Sequence, residues 1–306
     1  MSQPTLMPEP EEQQGVTLRT VWDLYNQVSS ELLGHMDPPV GENGRPHWRA
    51  SMNGYCLRRQ YMWRQGVPDT RAETEEQCID KERRFAAGNR VERELVDAIE
   101  LAGVLIARQV SLSDPELHVT GSADVLWGGA VQRELPDRSK WWDPDYTWAI
   151  RELRARADRL VGVPLPLTLT EIKSTHSYAV RKMYKEGPRF DFRCQAGTYW
   201  LMASDHPEQL PSGGLDRVEI AVVGRDAVKP LIFGVTRRDV DLARSRLEAL
   251  NKAWDERKPP PCTCGQEAGM SWEQGYCPYL DPEDPSRCCG MGLLDRLTAS
   301  VEATRR

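Results

Sequence analysis

Three charged residues in two short segments are of types that can hold a metal ion and stabilise charge beside it. Asp124 ends the segment GSAD, and Glu171 and Lys173 lie two residues apart in the segment LTLTEIKST. Because side chains alternate across a strand, Glu171 and Lys173 share one face of a strand predicted over residues 165–174. Asp124 follows a predicted glycine turn at the start of another strand, so the two carboxylates could meet at adjacent strand ends.

The chemistry that these residues allow is metal-assisted hydrolysis of a phosphodiester bond. Two carboxylates held together repel each other, and a divalent cation with oxygen ligands, such as Mg²⁺ or Mn²⁺, removes that repulsion. A cation of this kind lowers the pKa of a bound water and polarises a phosphoryl oxygen. Lys173 could orient that water or offset charge on the phosphate. The alternative is an exposed ion pair, which contributes only about 0–1 kcal/mol and gives weak reason for the arrangement.

The order of these residues resembles the core motif of the PD-(D/E)XK nucleases. The RecB-like branch of that family carries a QxxxY motif after the catalytic lysine, and Gln195 and Tyr199 match it in the segment QAGTY. Residues four apart lie on one face of a helix, and in the family this pair contacts the active site and the DNA strand. Asp124 and Glu171 are 47 residues apart, so an insertion over residues 129–163 has to leave the sheet.

Another motif precedes the aspartate. RecB-like nucleases usually have GxxxH on a helix at this point, and this chain has GNRVE, from Gly88 to Glu92. Gly88, Glu92, Leu95 and Ile99 fall on one face of a helix predicted over residues 81–103. Glu92 could therefore reach the metal site, where a carboxylate in place of histidine still offers an oxygen ligand.

The resemblance implies a metal-dependent DNA nuclease, most similar to exonucleases that act on single strands or DNA ends in recombination, repair or phage DNA processing. A helicase or recombination partner fits this picture, because the chain has no GxxxxGK(S/T) loop of its own. Two alternatives are a DNA-end-binding or assembly subunit on a nuclease scaffold and a restriction-type endonuclease. The implied roles are catalysis by Asp124, Glu171 and Lys173, metal binding by Glu92, Asp124 and Glu171, and substrate binding by Gln195 and Tyr199.

The eight cysteines include an early one and a group of five in the tail, residues 262–290. This distribution resembles the iron–sulfur staple of the AddB-type and CRISPR-adaptation exonucleases, in which four thiolates hold a 4Fe–4S cluster. The tail lacks the CxxC pair usual in that family, and Zn²⁺ is the alternative metal. Cys78 and Cys194 are interpreted as small buried hydrophobes or free thiols. The implied ligands are Cys56, Cys264, Cys277 and Cys288, with Cys262 and Cys289 as alternates.

Basic residues near these motifs would give DNA a path to the site, although the net charge of the chain is −6. Local potential rather than total charge steers a ligand. Tyr178 and Tyr184 interleave with the last basic group and could stack bases of a single strand. The sequence shows no base-reading motif, which predicts little sequence specificity. The basic groups are Arg58, Arg59 and Arg64; Lys81, Arg83, Arg84 and Arg90; and Arg181, Lys182, Lys185, Arg189 and Arg193.

The elements around the motifs predict an α/β fold with a PD-(D/E)XK, restriction-endonuclease-like core. We expect a mixed central sheet flanked by helices, with N- and C-terminal segments joined by a metal cluster. A single RecB-like domain is expected over residues 17–290, between a disordered tail, 1–16, and a C-terminal tail, 291–306. The predicted helices are 17–34, 51–66, 81–103, 189–205 and 239–258, the last with an aspartate cap; the strands are 118–128 and 165–174, with a hairpin over 216–238.

The sequence also bears on location. No stretch approaches the roughly 20 apolar residues of a membrane span. The first 15 residues are acidic and proline-rich and lack the apolar core of a signal peptide. These features predict a cytoplasmic protein with no membrane partner, and in that compartment clustered cysteines more often bind a metal or a cluster than form disulfides.

Overall fold

The computed structural model describes residues 47–67, 75–130, 164–224 and 230–264, together with Cys277 and Tyr279. The predictions for residues 1–46 and for the 129–163 insertion beyond Ala130 lie outside the described residues, as do those for Cys288, Cys289 and the C-terminal tail. The described residues fall into two compact units. Residues 75–86 belong to one unit, and residues 47–67 and the described residues from Ala87 onward belong to the other.

A six-stranded mixed sheet lies at the centre of the larger unit. The strands are β1 Trp48–Arg49, β2 Leu105–Asp114, β3 Val119–Ala130, β4 Pro164–Thr175, β5 Arg217–Gly224 and β6 Leu231–Gly234. Their order is β1-β3-β4-β5-β6, with β2 beside β3. The pairs β1–β3 and β4–β5 are parallel, whereas β2–β3, β3–β4 and β5–β6 are antiparallel. The predicted mixed central sheet is therefore confirmed.

Helices cover both faces of this sheet, as expected of an α/β fold. The helices are α1 Leu57–Arg64, α2 Glu75–Leu101, α3 Ser177–Glu186, α4 Phe190–Asp205 and α5 Arg237–Asp255, with short 3₁₀ turns at Ala50–Met52 and Pro207–Gln209. Ala123, Leu169 and Ile220 on one face pack in the main core with α4 and α5. Val125 and Ile172 pack on the other face with Val96 of α2.

The strand pairing leaves a gap beside β3. β2 occupies one edge of β3, so β1 and β4 share the other edge. Pairing with β1 ends at Thr120, and pairing with β4 starts at Val125, opposite Thr170. Residues 121–124 thus have no ladder partner on that edge among the described strands, and β3 and β4 diverge at this point.

Several sequence predictions are confirmed. β4 matches the strand predicted over 165–174, α4 matches the helix over 189–205, and the hairpin over 216–238 corresponds to β5 and β6. The helix predicted over 81–103 is the later part of α2, which is followed by Gly103 in the left-handed conformation that glycine favours. None of the helices in the described part of the chain has the length and apolarity needed to cross a bilayer.

Other predictions of local structure are wrong. The segment GSAD does not form a turn before a strand, because β3 already begins at Val119 and pairs there with β2, which was not predicted. The helix predicted over 51–66 is a 3₁₀ turn and the separate helix α1, since the side chain of Asn53 between them bonds Thr198 and the Ala243 carbonyl. The cap of α5 is Thr236, and Asp239 stands at the third helical position in a capping box.

Candidate active site and cysteine group

The two carboxylates predicted to be catalytic lie where β3 and β4 diverge. Val125 and Thr170 form the last pair of the ladder, and Asp124 and Glu171 are the next residues on each strand. Oδ2 of Asp124 accepts a hydrogen bond of 2.6 Å from the backbone N–H of Ile172. This bond fixes Asp124 against β4 at the point where the ladder stops, so the two acidic residues lie at neighbouring positions on adjacent strands, within the strands rather than at their ends.

Glu171 is buried, and its two carboxylate oxygens differ in their hydrogen bonding. Its Oε1 accepts from Nζ of Lys173 at 2.6 Å and from Nε2 of Gln195 at 2.7 Å. Its Oε2 is buried and has no hydrogen-bond partner within the described residues. The residue is only 3% exposed. A buried carboxylate oxygen without a partner is costly, and a cation would relieve that cost.

Glu92 lies near Asp124 and belongs to α2, which packs on the face of the sheet opposite to α4. The residue that links the two carboxylates, Gln109, was not indicated by the sequence. Nε2 of Gln109, on β2, donates to Oε1 of Glu92 at 2.6 Å and lies 3.5 Å from Oδ1 of Asp124. Oγ of Ser122 donates in turn to Oε1 of Gln109 at 3.2 Å. Gln109 thus joins the carboxylates of α2 and β3. Its backbone φ of 48° is left-handed, which is uncommon for a residue with a side chain.

The electrostatics of the site oppose full ionisation of the three carboxylates. Burial raises the pKa of Glu171 to about 7, against the opposing effect of the Lys173 ammonium. Burial also raises the pKa of Asp124, and burial together with the Asp124 charge raises the pKa of Glu92. For Lys173, burial alone would lower the pKa, but Glu171 and Asp124 more than offset this and raise it. Oxygen ligands that repel one another in this way are the donor set that hard divalent cations prefer.

Gln195 and Tyr199 stand one turn apart on α4, and both are buried. Nε2 of Gln195 donates to the Tyr199 hydroxyl at 2.9 Å as well as to Glu171, and the hydroxyl donates to the Ser122 carbonyl at 2.8 Å. Burial raises the pKa of Tyr199 well above its ordinary value, so the hydroxyl keeps its proton. These contacts tie α4 to β3 and β4. The predicted contact of this pair with a substrate strand stays a prediction.

A glycine lets α2 approach β4 at the site. A Cβ atom at Gly88 would lie 3.2 Å from Oγ of Ser174, closer than most side chains tolerate. One turn later on α2, Glu92 lines a cavity of about 290 Å³. The other residues that line this cavity are Asn89, Arg93, Val96, Arg108, Gln109 and Asp124. Two of the three carboxylates, those of Glu92 and Asp124, therefore border this cavity.

Three cysteines that are far apart in the sequence lie together. The sulfur atoms of Cys56, Cys262 and Cys264 lie within 4.8 Å of one another. The Cys56–Cys262 separation of 3.8 Å exceeds the roughly 2.05 Å of a disulfide. The backbone N–H of Thr263 donates to Sγ of Cys56 at 3.4 Å, and that of Cys264 donates to Sγ of Cys262 at 3.5 Å. Thiolates held and hydrogen-bonded in this way could bind a metal.

The structure differs from the predicted ligand set at two described cysteines: Cys262 belongs to the group of close sulfur atoms, and Cys277 does not. Cys262 was expected only as an alternate to Cys264, yet both approach Cys56, because α5 ends before a run of prolines that returns the chain to α1. Cys277 is buried in the same apolar cluster as Cys56 and Cys264. Cys194 is buried elsewhere, beside Phe190. The side chain of Cys78 lies outside the described residues.

Most of the predicted basic groups have structural roles. Arg58 donates to the Pro260 carbonyl, Arg59 lies over Tyr55 and Arg64 over Trp63. Arg189 and Arg193 pair with the buried carboxylates of Asp191 and Asp239. Arg90 pairs with Glu94 on α2, and Lys81, Arg83 and Arg84 belong to the other compact unit. Of the third group, Arg181, Lys182 and Lys185 are exposed on α3.

Comparison with known proteins assigns no family. No protein-family model matches the sequence, and no curated protein matches it. The crystal structure of SSO0001 is similar over 87% of this chain and 97% of its own, at 14% sequence identity and a TM-score of 0.42. A likeness this weak supports no conclusion on fold or function, so the function has to be argued from the site.

Proposed function

We propose that this chain is a metal-dependent nuclease that hydrolyses phosphodiester bonds of DNA. The observation that carries the proposal is the buried Oε2 of Glu171, which lacks a hydrogen bond within the described residues while Oε1 is bonded to Lys173. Asp124 and Glu92 stand around the same place, joined through Gln109. Three carboxylates and a lysine at the divergence of two strands are the groups that metal-assisted hydrolysis needs.

The donor set fits Mg²⁺ or Mn²⁺, with Asp124, Glu171 and Glu92 as the residues that would hold it. Such an ion supplies Lewis-acid activation of the phosphoryl group and of a water when bound. The residues around it have separate tasks. Gln195 holds Glu171 in place, and the N–H of Ile172 holds Asp124.

Lys173 would stabilise negative charge on the phosphate. The neighbouring carboxylates raise its pKa, so it remains an ammonium at neutral pH. Its side chain is about a quarter exposed, whereas that of Glu171 is almost fully buried. A cation that is fixed by one buried carboxylate oxygen and still reaches solvent can donate a hydrogen bond to a phosphate oxygen as charge develops.

The finer assignment follows from the order of motifs in the sequence. The sequence order of Gly88–Glu92, Asp124, Glu171–Lys173 and Gln195–Tyr199 supports a RecB-like exonuclease acting on single-stranded DNA or DNA ends. Recombination, repair or phage DNA processing, with a helicase or recombination partner, is the biological setting we propose for it.

The cysteine group would carry a 4Fe–4S cluster that joins the segment before α1 to the segment after α5. Its support is the proximity of Cys56, Cys262 and Cys264. A fourth thiolate, from Cys277, Cys288 or Cys289, would complete the four that such a cluster takes. Zn²⁺ also accepts four thiolates, and analysis of the bound metal separates the two.

The decisive experiment incubates end-labelled linear single- and double-stranded DNA with the protein and Mn²⁺, with and without a chelator. We expect progressive shortening from the ends that requires the metal. Glu171→Gln and Lys173→Met keep the size of each side chain and should lower the rate on the order of 100-fold or more. Glu248→Gln, an exposed carboxylate on α5, is the matched control and should cleave like the wild type.

Metal binding and the form of DNA cleavage make the result specific. Calorimetry should show that Glu171→Gln loses Mn²⁺ binding, whereas Lys173→Met keeps it, because only the first removes a ligand. Cleavage by Glu171→Gln at the wild-type rate would refute the proposal. Binding of DNA ends without cleavage would favour the assembly-subunit alternative, and one discrete cut in a plasmid would favour the restriction-type alternative.

A further inference from the structure

The helix that follows the catalytic strand is held in a fixed orientation. β4 carries Glu171 and Lys173 and ends at Thr175, and α3 begins two residues later at Ser177. Met183 is buried in the main core, and Ala179 and Val180 pack against it. His176 caps the start of the helix, and Gly187, with a left-handed φ of 87°, follows its end. Because its inner face is fixed, the outer face of α3 has to face solvent.

That outer face carries two unusually exposed aromatic rings. Tyr178 is 71% exposed and Tyr184 is 76% exposed, which makes them the most exposed large hydrophobic residues in the described part of the chain. Tyrosine is enriched at interfaces, because its ring is apolar while its hydroxyl group can stay in contact with water.

Three basic residues accompany the rings. Tyr178, Arg181, Lys182 and Lys185 follow the spacing i, i+3, i+4 and i+7 and so lie on one side of the helix, with Tyr184 three residues after Arg181. The only acidic residue of α3 is Glu186, which lies 3.8 Å from Lys182. The face therefore has a local positive charge on a chain whose net charge is −6, and a charge pattern of this kind complements a phosphate backbone.

We propose that this face, which we call the α3 platform, binds single-stranded DNA: Tyr178 and Tyr184 stack on unpaired bases, and Arg181, Lys182 and Lys185 contact phosphates. Bases in a duplex are already stacked on each other, so free ring faces select an unpaired strand. Tyr178 lies five positions after Lys173 in the chain, so their Cα atoms are at most about 18 Å apart. A strand of a few nucleotides can thus bind the platform and reach the active site.

The α3 platform is a binding surface for the substrate of the proposed nuclease. Its connection to cleavage rests on that proposed function. Binding is measured by fluorescence anisotropy with a labelled 12-nucleotide oligodeoxythymidine and with a hairpin duplex of the same charge. The protein keeps its cysteine-bound metal, no divalent cation is added, and a denaturing gel verifies that the labelled strand stays intact. We expect the wild type to bind the single strand at least about tenfold more tightly than the duplex.

Two double variants test whether the tyrosine rings themselves, rather than an intact fold alone, are needed for single-strand binding. Tyr178→Ala with Tyr184→Ala should weaken single-strand binding by at least about tenfold, because stacking on each base is lost. Tyr178→Phe with Tyr184→Phe keeps both rings and should bind like the wild type. Ile232→Ala, at an exposed apolar residue of β6, is the control for loss of exposed apolar surface and should not change binding.

The charges are tested through the salt dependence. Changing Arg181, Lys182 and Lys185 together to glutamine should weaken binding and reduce the slope of log Kd against log salt by about 2, since each of the three phosphate contacts contributes roughly 0.7 for a single strand. A slope that does not change would overturn the phosphate contacts.

The outcomes distinguish the platform from the proposed function. Wild-type affinity in the double alanine variant would overturn the platform and leave the nuclease proposal intact. Binding that depends on the rings, in a protein that never cleaves DNA, would support the platform and refute the nuclease proposal. Equal binding of single strand and duplex, or much tighter binding of the matching oligouridine, would overturn single-stranded DNA as the ligand.

Discussion

The side-chain amide of Gln195 donates a hydrogen bond of 2.7 Å to Oε1 of Glu171, the same oxygen that accepts from Lys173. Both partners of Glu171 thus bind one oxygen, and Oε2 is the oxygen without a hydrogen bond among the described residues. Gln195 is itself fixed by its contact with the Tyr199 hydroxyl. The QxxxY pair therefore acts on the orientation of the carboxylate, whatever contact it also makes with a substrate.

The first prediction concerns Gln195→Ala. Without the amide, Glu171 can rotate, so Mn²⁺ binding should weaken and kcat should fall more than KM rises. The loss of its two buried hydrogen bonds, to Glu171 and to the Tyr199 hydroxyl, should also lower the free energy of unfolding by about 1–3 kcal/mol. Calorimetry with Mn²⁺, DNA cleavage kinetics and urea unfolding measure these three effects.

A second glutamine provides the matched control. Gln209 bonds the backbone N–H and C=O of Ser113, away from the carboxylates. Gln209→Ala should lose a similar amount of stability and keep normal Mn²⁺ binding and kcat. If the two variants behave alike in Mn²⁺ binding and turnover, Gln195 has only a structural role.

The next prediction uses the strained backbone of Gln109. Both Gln109→Ala and Gln109→Gly remove the amide that joins Glu92 and Asp124, so both should weaken Mn²⁺ binding to the same extent. Only glycine adopts the φ of 48° without cost. Gln109→Gly should therefore be more stable than Gln109→Ala by about 1 kcal/mol in chemical denaturation. Equal stability of the two would mean that the left-handed conformation relaxes when the side chain is removed.

The central strand and helix of the site were predictable from local pattern. The alternation in LTLTEIKST placed Leu169 and Ile172 on opposite faces of β4, and the structure buries them in opposite cores. Gln195 and Tyr199 were placed on one face of a helix for the same reason. Periodicity succeeds here because each element buries a continuous apolar face.

The wrong predictions have causes that a local sequence pattern does not show. The strand β2 was not predicted for two reasons. Gln109 adopts a left-handed conformation in the middle of the strand, and several other side chains of β2 are polar or exposed. GSAD has the composition of a turn, but Gly121 is within β3, where contact with distant residues excludes a side chain. The joint approach of Cys262 and Cys264 to Cys56 depends on how the chain returns after α5, which spacing alone leaves open.

The cysteine group leads to a prediction on metal content. The sulfur atoms of Cys56, Cys262 and Cys264 all lie within 4.8 Å of one another, so alanine at each of the three positions should lower the amount of bound metal. Neither Cys262 nor Cys264 should fully replace the other as a ligand. Protein purified without oxygen should be brown and contain about four iron and four sulfide per chain. Metal ligation between distant segments contributes to folding, so each variant should also melt several degrees lower.

Cys194→Ala is the control for this series, since Cys194 is buried in a different apolar cluster. It should keep the colour and the metal content. Normal iron in Cys56→Ala would refute the cysteine group as the metal site. Stoichiometric zinc without iron in protein kept from oxygen would refute the iron–sulfur cluster and leave the nuclease proposal unaffected.

The last prediction is that Gly121→Ala disturbs both stability and catalysis. A Cβ atom at Gly121 would lie 2.7 Å from Cβ of Ala50 and 2.7 Å from Cε1 of Tyr199, and neither neighbour can move easily because both are buried. Overpacking of this kind costs about 1–3 kcal/mol. Displacement of Tyr199 would also break its bond to Ser122 and its contact with Gln195, so kcat should fall while the Mn²⁺ ligands remain. Gly214→Ala, where an added Cβ meets no atom within 4 Å, should be as stable and as active as the wild type. If urea unfolding and DNA cleavage rates do not distinguish the two variants, the close packing at Gly121 has no part in holding the QxxxY pair.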